Sequence, residues 1–343
     1  MKFRIKRYPN ARREWLWVGL QLVVFGSLFL AASFYVTSMP GRSYSEVLPI
    51  LTDAELELRG TLQNHVSALA GRIGERNLNH YEALTASADF IETELRNAGL
   101  QIQQQEYTIS GKSVKNIETE IRGTIRSDEI VVVGAHYDSV SGSPGANDNA
   151  SGVAALLELA KEFKNKDVNR TLRFVAFVNE EPPYFQTEEM GSRVYARRSR
   201  ARAENIVAMF SLETIGYYSD AENSQVYPFP FSLFYPNVGN FIGFVGNISS
   251  RPLVRRAIKT FRQDGSFPSQ GVAAPGWLTG IGWSDQWSFW KEDYPGIMIT
   301  DTAVFRYPYY HRRSDTAEKI DYDRMVRVVS GLSRVILDCT QKN

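Results

Sequence analysis

Among the four histidines of this 343-residue chain, His136 closes the run "IVVVGAHYDS", with Asp138 two positions on. Side chains two apart share one face of a strand, so an imidazole and a carboxylate emerge together at the strand's end. Two readings fit that pair: a metal ligand held by its acidic partner, or a partly buried histidine satisfied by a neighbouring aspartate. The other polar residues weigh between them. Glu180 and Glu181 follow "TLRFVAFVN", in which Phe174 to Val178 are all apolar. Adjacent glutamates commonly mark a solvated loop, but where a buried strand meets its loop two like charges are costly unless a cation compensates. Glu213 interrupts the apolar run "AMFSLETIGYY". Asp148, in "SPGANDNASG", precedes a helical stripe that begins at Val153, a position where an anion is favoured; it reads as a ligand or as a helix cap, and Asn149 or Ser151 would cap equally well. His311 lies in the polar loop "YPYYHRRSDT". Two histidines and four or five carboxylates without a thiolate suit Zn²⁺, or Mn²⁺ or Co²⁺, and a carboxylate-rich set holds two ions when one carboxylate is shared.

Such a set works only if strands of one sheet deliver it. "EIVVVGAH", "TLRFVAFVNE", "IVAMFSLETIG" and "GIMITDTA" read as near-continuous apolar strands. Between and around them, helical spacing appears at Leu84, Ala88, Ile91 and Leu95, with Gly99 as a stop, so a helix is expected over 82–98. A second stripe runs through Val153, Leu156, Leu157, Ala160 and Phe163, and a closing one through Tyr322, Met325, Val329, Leu332 and Ile336. Apolar strands separated by helices predict an α/β fold with a mainly parallel sheet covered on both faces. In such sheets sites form outside the carboxyl ends of the strands, where these polar residues collect.

The remaining composition narrows the function classes. Hydrophobic residues at 43% and aromatics at 12% are ample for a core. Net charge is +1, but Lys2, Arg4, Lys6, Arg7, Arg12 and Arg13 precede the first acid; without those six the chain has 33 basic and 38 acidic residues, a balance of −5. That body argues against nucleic acid as a partner. Cys339 is the single cysteine, so no intrachain disulfide exists. From Trp15 to Thr37 run 23 uncharged residues, about 34 Å as a helix and enough to cross a bilayer. A cleaved signal peptide is the rival, but its apolar core is normally about 7 to 15 residues, and no clear A-x-A site follows. The expectation is a basic cytoplasmic segment at 1–14, a single-pass anchor at 15–37, a linker at 38–55 containing Pro40, Gly41 and Pro49, and a domain at 56–343 on the extracytoplasmic side of the membrane.

"GAHYDSVSGSPGANDNASGVAALLELA", "VNEE", "SLETIGYY" and "YYHRRSDT", in this order, resemble the zinc-dependent aminopeptidase family that includes aminopeptidase S and aminopeptidase Y. The likeness spans roughly residues 60 to 340. It implies a three-layer α/β/α hydrolase with a mixed central sheet that removes N-terminal residues from peptides or proteins, using two Zn²⁺ per chain. By that resemblance, His136, Asp148 and Glu213 hold one ion, while Asp148, Glu181 and His311 hold the other, with Asp148 bridging. Glu180 corresponds to the general base, Asp138 to the acid that orients His136, and Tyr310 to a phenol that stabilises the tetrahedral intermediate. The family also implies a cis peptide at Asp148-Asn149. Where many relatives read Ser-Asp-His, this chain has Ser284-Asp285-Gln286; Asp285 is expected among the substrate contacts, and the missing histidine bears on those contacts more than on the chemistry. Glutaminyl cyclases, which keep one catalytic zinc, and non-catalytic receptor ectodomains resemble the same family. Metal stoichiometry separates the first, and receptor relatives usually lose ligands that this chain retains.

Overall fold

A computed structural model describes residues 12–263, 265 and 267–341. The first 11 residues, most of the expected basic segment, lie outside the described residues. The chain forms two compact units, residues 1–38 and 39–343. The first is helix α1, Arg12–Thr37. Its stretch Trp15–Thr37 has a mean hydropathy of 1.9, long and apolar enough to cross a membrane. Leu16, Leu22, Phe25, Leu30 and Phe34 are all exposed around it, so the helix lacks the polar face of a surface helix and suits a signal anchor or membrane span.

The second unit is built on one eight-stranded sheet: β1 Ile102–Ile109, β2 Lys112–Ile121, β3 Arg126–His136, β4 Arg170–Phe177, β5 Asn205–Glu213, β6 Ile242–Gly246, β7 Ser269–Ala273 and β8 Gly296–Thr300. Spatial order is β1-β2-β4-β3-β5-β8-β6-β7. The four central strands β4, β3, β5 and β8 are mutually parallel, as their unbroken apolar runs predict. β1, β2 and β6 add antiparallel pairs, making the sheet mixed.

Helices α2 Asp53–Val66, α3 Tyr81–Asn97, α4 Gly152–Phe163, α5 Gly191–Ala201, α6 Arg251–Gln263, α7 Gln286–Trp290, α8 Ala303–Arg306 and α9 Tyr322–Gln341 complete the unit. Alternation along β3 assigns the layers. Val131, Val133 and Ala135 pack with α2, α3, α4, α6 and α9, whereas Ile130 and Val132 join Tyr195 of α5 and Phe289 of α7. The result is a three-layer α/β/α sandwich.

The segment expected as a linker is irregular up to Thr52 but is bound to the body. Arg262 donates to the carbonyls of Pro40 and Gly41 at 3.1 Å each, the Ser269 N–H donates to Ser43 Oγ at 2.9 Å, and Arg327 donates to Pro49 O. Thr52 then starts α2 with a capping box: its N–H donates to Glu55 at 2.8 Å, and the Glu55 N–H returns to Thr52 Oγ1 at 3.3 Å.

Candidate metal centre

The parallel strands bring their carboxyl ends to one place. β3 ends at His136, β5 ends at Glu213, and Glu180 and Glu181 follow β4 after a short turn. Asp148 arrives from the loop that enters α4. That loop lies close against β5: a Cβ added at Gly152 would meet Leu212 O at 2.5 Å, so only glycine admits the approach. The Asp148-Asn149 peptide is cis. His311 comes from the loop before α9. Asn179, Thr214 and His311 all have positive φ, 59°, 46° and 57°. This sparsely populated backbone sits beside Glu180, beside Glu213 and at His311 itself, turning each side chain away from its strand or loop direction.

Two clusters result: His136, Asp148 and Glu213, and Asp148, Glu181 and His311, the offered atoms of each lying within 4.8 Å of one another. His136 Nε2 is 3.2 Å from Asp148 Oδ1 and 3.2 Å from Glu213 Oε2. His311 Nε2 is 3.1 Å from Asp148 Oδ2 and 3.3 Å from Glu181 Oε2. Asp148 thus faces one histidine with each oxygen. Glu180 Oε2 stands 3.9 Å from His136 Nε2, outside both triplets. Tyr310 stacks on His311, with ring centroids 3.9 Å apart.

Asp138 does more than face His136. Its Oδ1 is 3.5 Å from His136 Nδ1, and its two oxygens accept the backbone N–H groups of Glu180 and Glu181 at 3.1 Å each. One carboxylate therefore fixes the end of β3 against the turn after β4.

His136, Asp138, Asp148, Glu180, Glu181 and Glu213 are buried, whereas Tyr310 and His311 are partly exposed. Burial opposes protonation of His136, but Glu213 and Glu180 outweigh it and raise its pKa well above the ordinary value. Burial likewise opposes a charged His311, yet the carboxylates of Asp148 and Glu181 beside its ring lift it to about 10. Burial, then the charge of Asp148, pushes Glu181 up to about 7; Glu180 and Glu213 are raised mainly by burial. Asp148 moves the other way, since the two imidazoles it faces overcome burial. Both ring nitrogens of His136, Asp148 Oδ1 and His311 Nε2 make no hydrogen bond. Buried acceptors that converge without bonding, in an oxygen and imidazole set lacking thiolate, fit divalent cations.

Beside the clusters opens a cavity of about 100 Å³, several times the roughly 10–15 Å³ that one water needs. Glu213, Thr214 and Tyr310 reach it, and Phe231, Tyr235, Phe241, Phe244, Trp283 and Met298 give it apolar walls.

Asp285 departs from expectation. It has no exposed surface, and burial is the main cause holding its pKa near 7. It lies at the start of α7, following Ser284, whose hydroxyl donates to Glu213 Oε2 at 2.8 Å.

Several supporting residues escaped the sequence reading. Asp315 accepts the N–H groups of Asn147 at 2.8 Å and Asp148 at 3.2 Å, and the hydroxyl of Tyr307 at 2.7 Å. Asp301 accepts from the Asn147 side chain at 2.9 Å. Arg76, fully buried, donates to the carbonyls of Tyr137, Pro144 and Gly145 at 2.6, 2.5 and 2.9 Å. Asp315 stands inside the "YYHRRSDT" run, but nothing in residue type or spacing separates it from surface aspartates, and Arg76 is an isolated cation.

Residues 116–336 match the family model described as Peptidase family M28. The chain belongs to peptidase family M28. This M28 chain is 36% identical over 280 residues to the uncharacterized protein YfbL of Escherichia coli K12, covering 79% of the chain and 85% of that protein. It is 44% identical over 85 residues to aminopeptidase YwaD of Bacillus subtilis, which is 23% of the chain and 19% of that relative. In fold it resembles BSAP, a zinc aminopeptidase from Bacillus subtilis, with a TM-score of 0.67 at 16% identity, covering 87% of this chain and 97% of that one. A glutaminyl cyclase from Porphyromonas gingivalis shares the fold at a TM-score of 0.61 and 20% identity, over 81% and 97% of the two chains. Family membership makes the chain a hydrolase of the zinc-peptidase type, and fold alone does not choose among the family's chemistries.

Proposed function

We propose that this M28 chain is a metalloaminopeptidase with two Zn²⁺ per chain, anchored by one membrane span with its peptidase domain on the extracytoplasmic side. The observation that supports this most directly is the position of Asp148, with one oxygen toward His136 and the other toward His311. His136, Asp148 and Glu213 would hold one ion, and Asp148, Glu181 and His311 the other. When bound, such a pair acts as a Lewis acid on a carbonyl and lowers the pKa of water.

The chain's own residues supply the rest. Glu180 belongs to neither triplet, and burial has raised its pKa; it is the general base that takes the attacking water's proton and passes it to the leaving amine. Asp138 fixes the backbone that carries Glu180 and faces Nδ1 of His136. The Tyr310 hydroxyl donates a hydrogen bond to the oxyanion of the tetrahedral intermediate. A free N-terminus offers an amine lone pair that a cation held here would take, whereas a blocked amide nitrogen offers none, so substrates with free N-termini are favoured. The apolar cavity receives the side chain of the substrate's first residue, so large apolar residues are preferred. The six-residue constellation supports this reading over a receptor ectodomain without ligands, and metal stoichiometry separates it from a cyclase with one zinc.

The test is hydrolysis of free and N-blocked aminoacyl anilides, before and after chelation and with Zn²⁺, Mn²⁺ or Co²⁺ restored. Cleavage of the free anilides, lost on chelation and regained with metal at two ions per chain, is expected. Equal cleavage of blocked substrates, or full activity at one ion per chain, refutes it.

A further inference from the structure

A patch of exposed apolar side chains surrounds the cavity mouth. In the segment between β5 and β6, Val226, Phe229 and Leu233 are 60%, 78% and 64% exposed, and Trp283 and Val304 beside the cavity are also exposed. Interleaved residues of the same segment, Tyr227, Phe231 and Tyr235, point the other way and line the cavity. One short stretch thus builds a wall inward and presents large apolar groups outward, an arrangement that marks an interaction surface.

Its surroundings identify the partner. Tyr235 is tied to edge strand β7, its hydroxyl donating to Gly271 O at 2.7 Å. Met39 packs against that same glycine, its sulfur 3.2 Å from where a Cβ would stand. Met39 is held there because Pro40, Gly41 and Ser43 are hydrogen-bonded to Arg262 and Ser269. Only Ser38 separates Met39 from the apolar stretch that ends at Thr37. Helix α6, which carries Arg262, has the sequence RPLVRRAIKTFRQ, five cations and no acid. Arg256 is paired with Asp338 and Arg262 with loop carbonyls; basic residues on a domain that also exposes aromatic and aliphatic groups suit a phospholipid interface.

We propose that the 226–234 segment and Trp283 dip into the bilayer surface, so that the cavity opens at the headgroup layer and takes peptides that lie on or are tethered to the membrane. Docking rests on Trp15–Thr37 being a membrane span and is independent of the peptidase reading; only the substrate class depends on that reading.

The experiment uses the full chain in phospholipid nanodiscs that contain anionic lipid, in a Cys339→Ala background. An environment-sensitive fluorophore is placed at Phe229→Cys, at Leu233→Cys and, as a control, at Ile125→Cys, an exposed apolar position 72% accessible on the connection between β2 and β3. A label resting about 5–10 Å into the headgroup and acyl boundary loses most of its signal to lipids with a quencher near the headgroup. That loss at 229 and 233, with none at 125, is expected. Equal quenching at all three positions, or none, overturns the proposal. So does a label protected in detergent and nanodiscs alike regardless of quencher, which indicates a second copy of the chain as the occupant. In parallel, Phe229→Glu with Leu233→Glu lowers kcat/KM for a lipid-tethered peptide while a soluble anilide is cleaved as before. If labels are quenched but nothing is hydrolysed, the peptidase reading fails and docking stands. If both substrates suffer equally in the variant, the membrane substrate class fails.

Discussion

Asp138→Asn tests how the site is built, because it keeps size and removes one function at a time. The wild-type carboxylate accepts two backbone N–H groups at 3.1 Å, from Glu180 and Glu181. An asparagine has one acceptor oxygen, so its NH₂ must face one of those donors or the His136 ring. One hydrogen bond to a charged acceptor is then lost, about 1.5–3 kcal/mol, and the second weakens to a neutral bond. In the metal-free chain part of that loss is offset, because Asp138 no longer adds negative charge beside Glu180 and Glu181. With cations bound that repulsion is already neutralised, so the full loss appears. His136 also loses its orienting partner, which lowers metal affinity about 10- to 100-fold, equivalent to about 1.4–2.8 kcal/mol at roughly 1.4 kcal/mol per decade. Chelator competition and thermal unfolding, with and without Zn²⁺, measure both effects. The variant should bind metal more weakly and lose more stability in the loaded form than in the free form. Unchanged affinity, or a larger loss in the metal-free chain, would show that Asp138 neither orients His136 nor clamps the turn.

The neighbouring glutamates should separate cleanly. Glu180→Gln retains two ions while kcat falls about 10²- to 10⁴-fold, the usual contribution of a general base, and added metal does not rescue it; Glu181→Ala loses one ion and regains activity in excess metal. Metal content and kcat measured together decide, and a metal-depleted Glu180→Gln would reverse the assignment. The stabilisation given by Zn²⁺ should grow with pH. In the metal-free chain His311, raised to about 10, adds stability below its unfolded value near 6.5 that is lost as pH rises through about 10. Glu181, raised to about 7, adds stability while protonated and loses it as pH climbs from its unfolded value near 4.5 through 7. Cations require both groups deprotonated, so they bind more tightly over the same window. Unfolding scans from pH 6 to 9 with and without metal check this, and a metal-induced shift that shrinks with pH would refute it.

The parallel centre of the sheet was legible because burial on both faces leaves an unbroken apolar run, as in Val131 to Val133 and Phe174 to Val178. The remaining strands were not. In β1, "IQQQEYTI", most residues are exposed or half-buried at the sheet's edge, so period and hydrophobicity are both weak. Strands β6 and β7 are five residues each and contain glycine, which lowers strand propensity without preventing a pairing dictated by tertiary contacts. The Pro- and Gly-containing stretch after α1 suggested a free linker, yet arginines more than 200 positions away hold its carbonyls. A backbone acceptor leaves no mark in the sequence, so such contacts cannot be anticipated from it.

The same asymmetry runs through the site. Residues expected to meet cations were visible because a charged group at the end of a buried strand needs a reason to be there. Asp315, Asp301 and Arg76 meet backbone and amide groups instead, and their types carry no such signal. They nevertheless set the geometry on which the visible residues depend. Asp148 faces both histidines only while its loop is fixed, and that loop is held at Asn147 and Asp148 by Asp315, at Asn147 by Asp301, and at Pro144 and Gly145 by Arg76. Burial is what makes the hold rigid: a broken bond there leaves a group without water to replace its partner, at a cost of about 1–3 kcal/mol. The loop is therefore tied by three side chains distant in sequence, two of them on its backbone, and the bridging carboxylate inherits its position from residues that touch no cation.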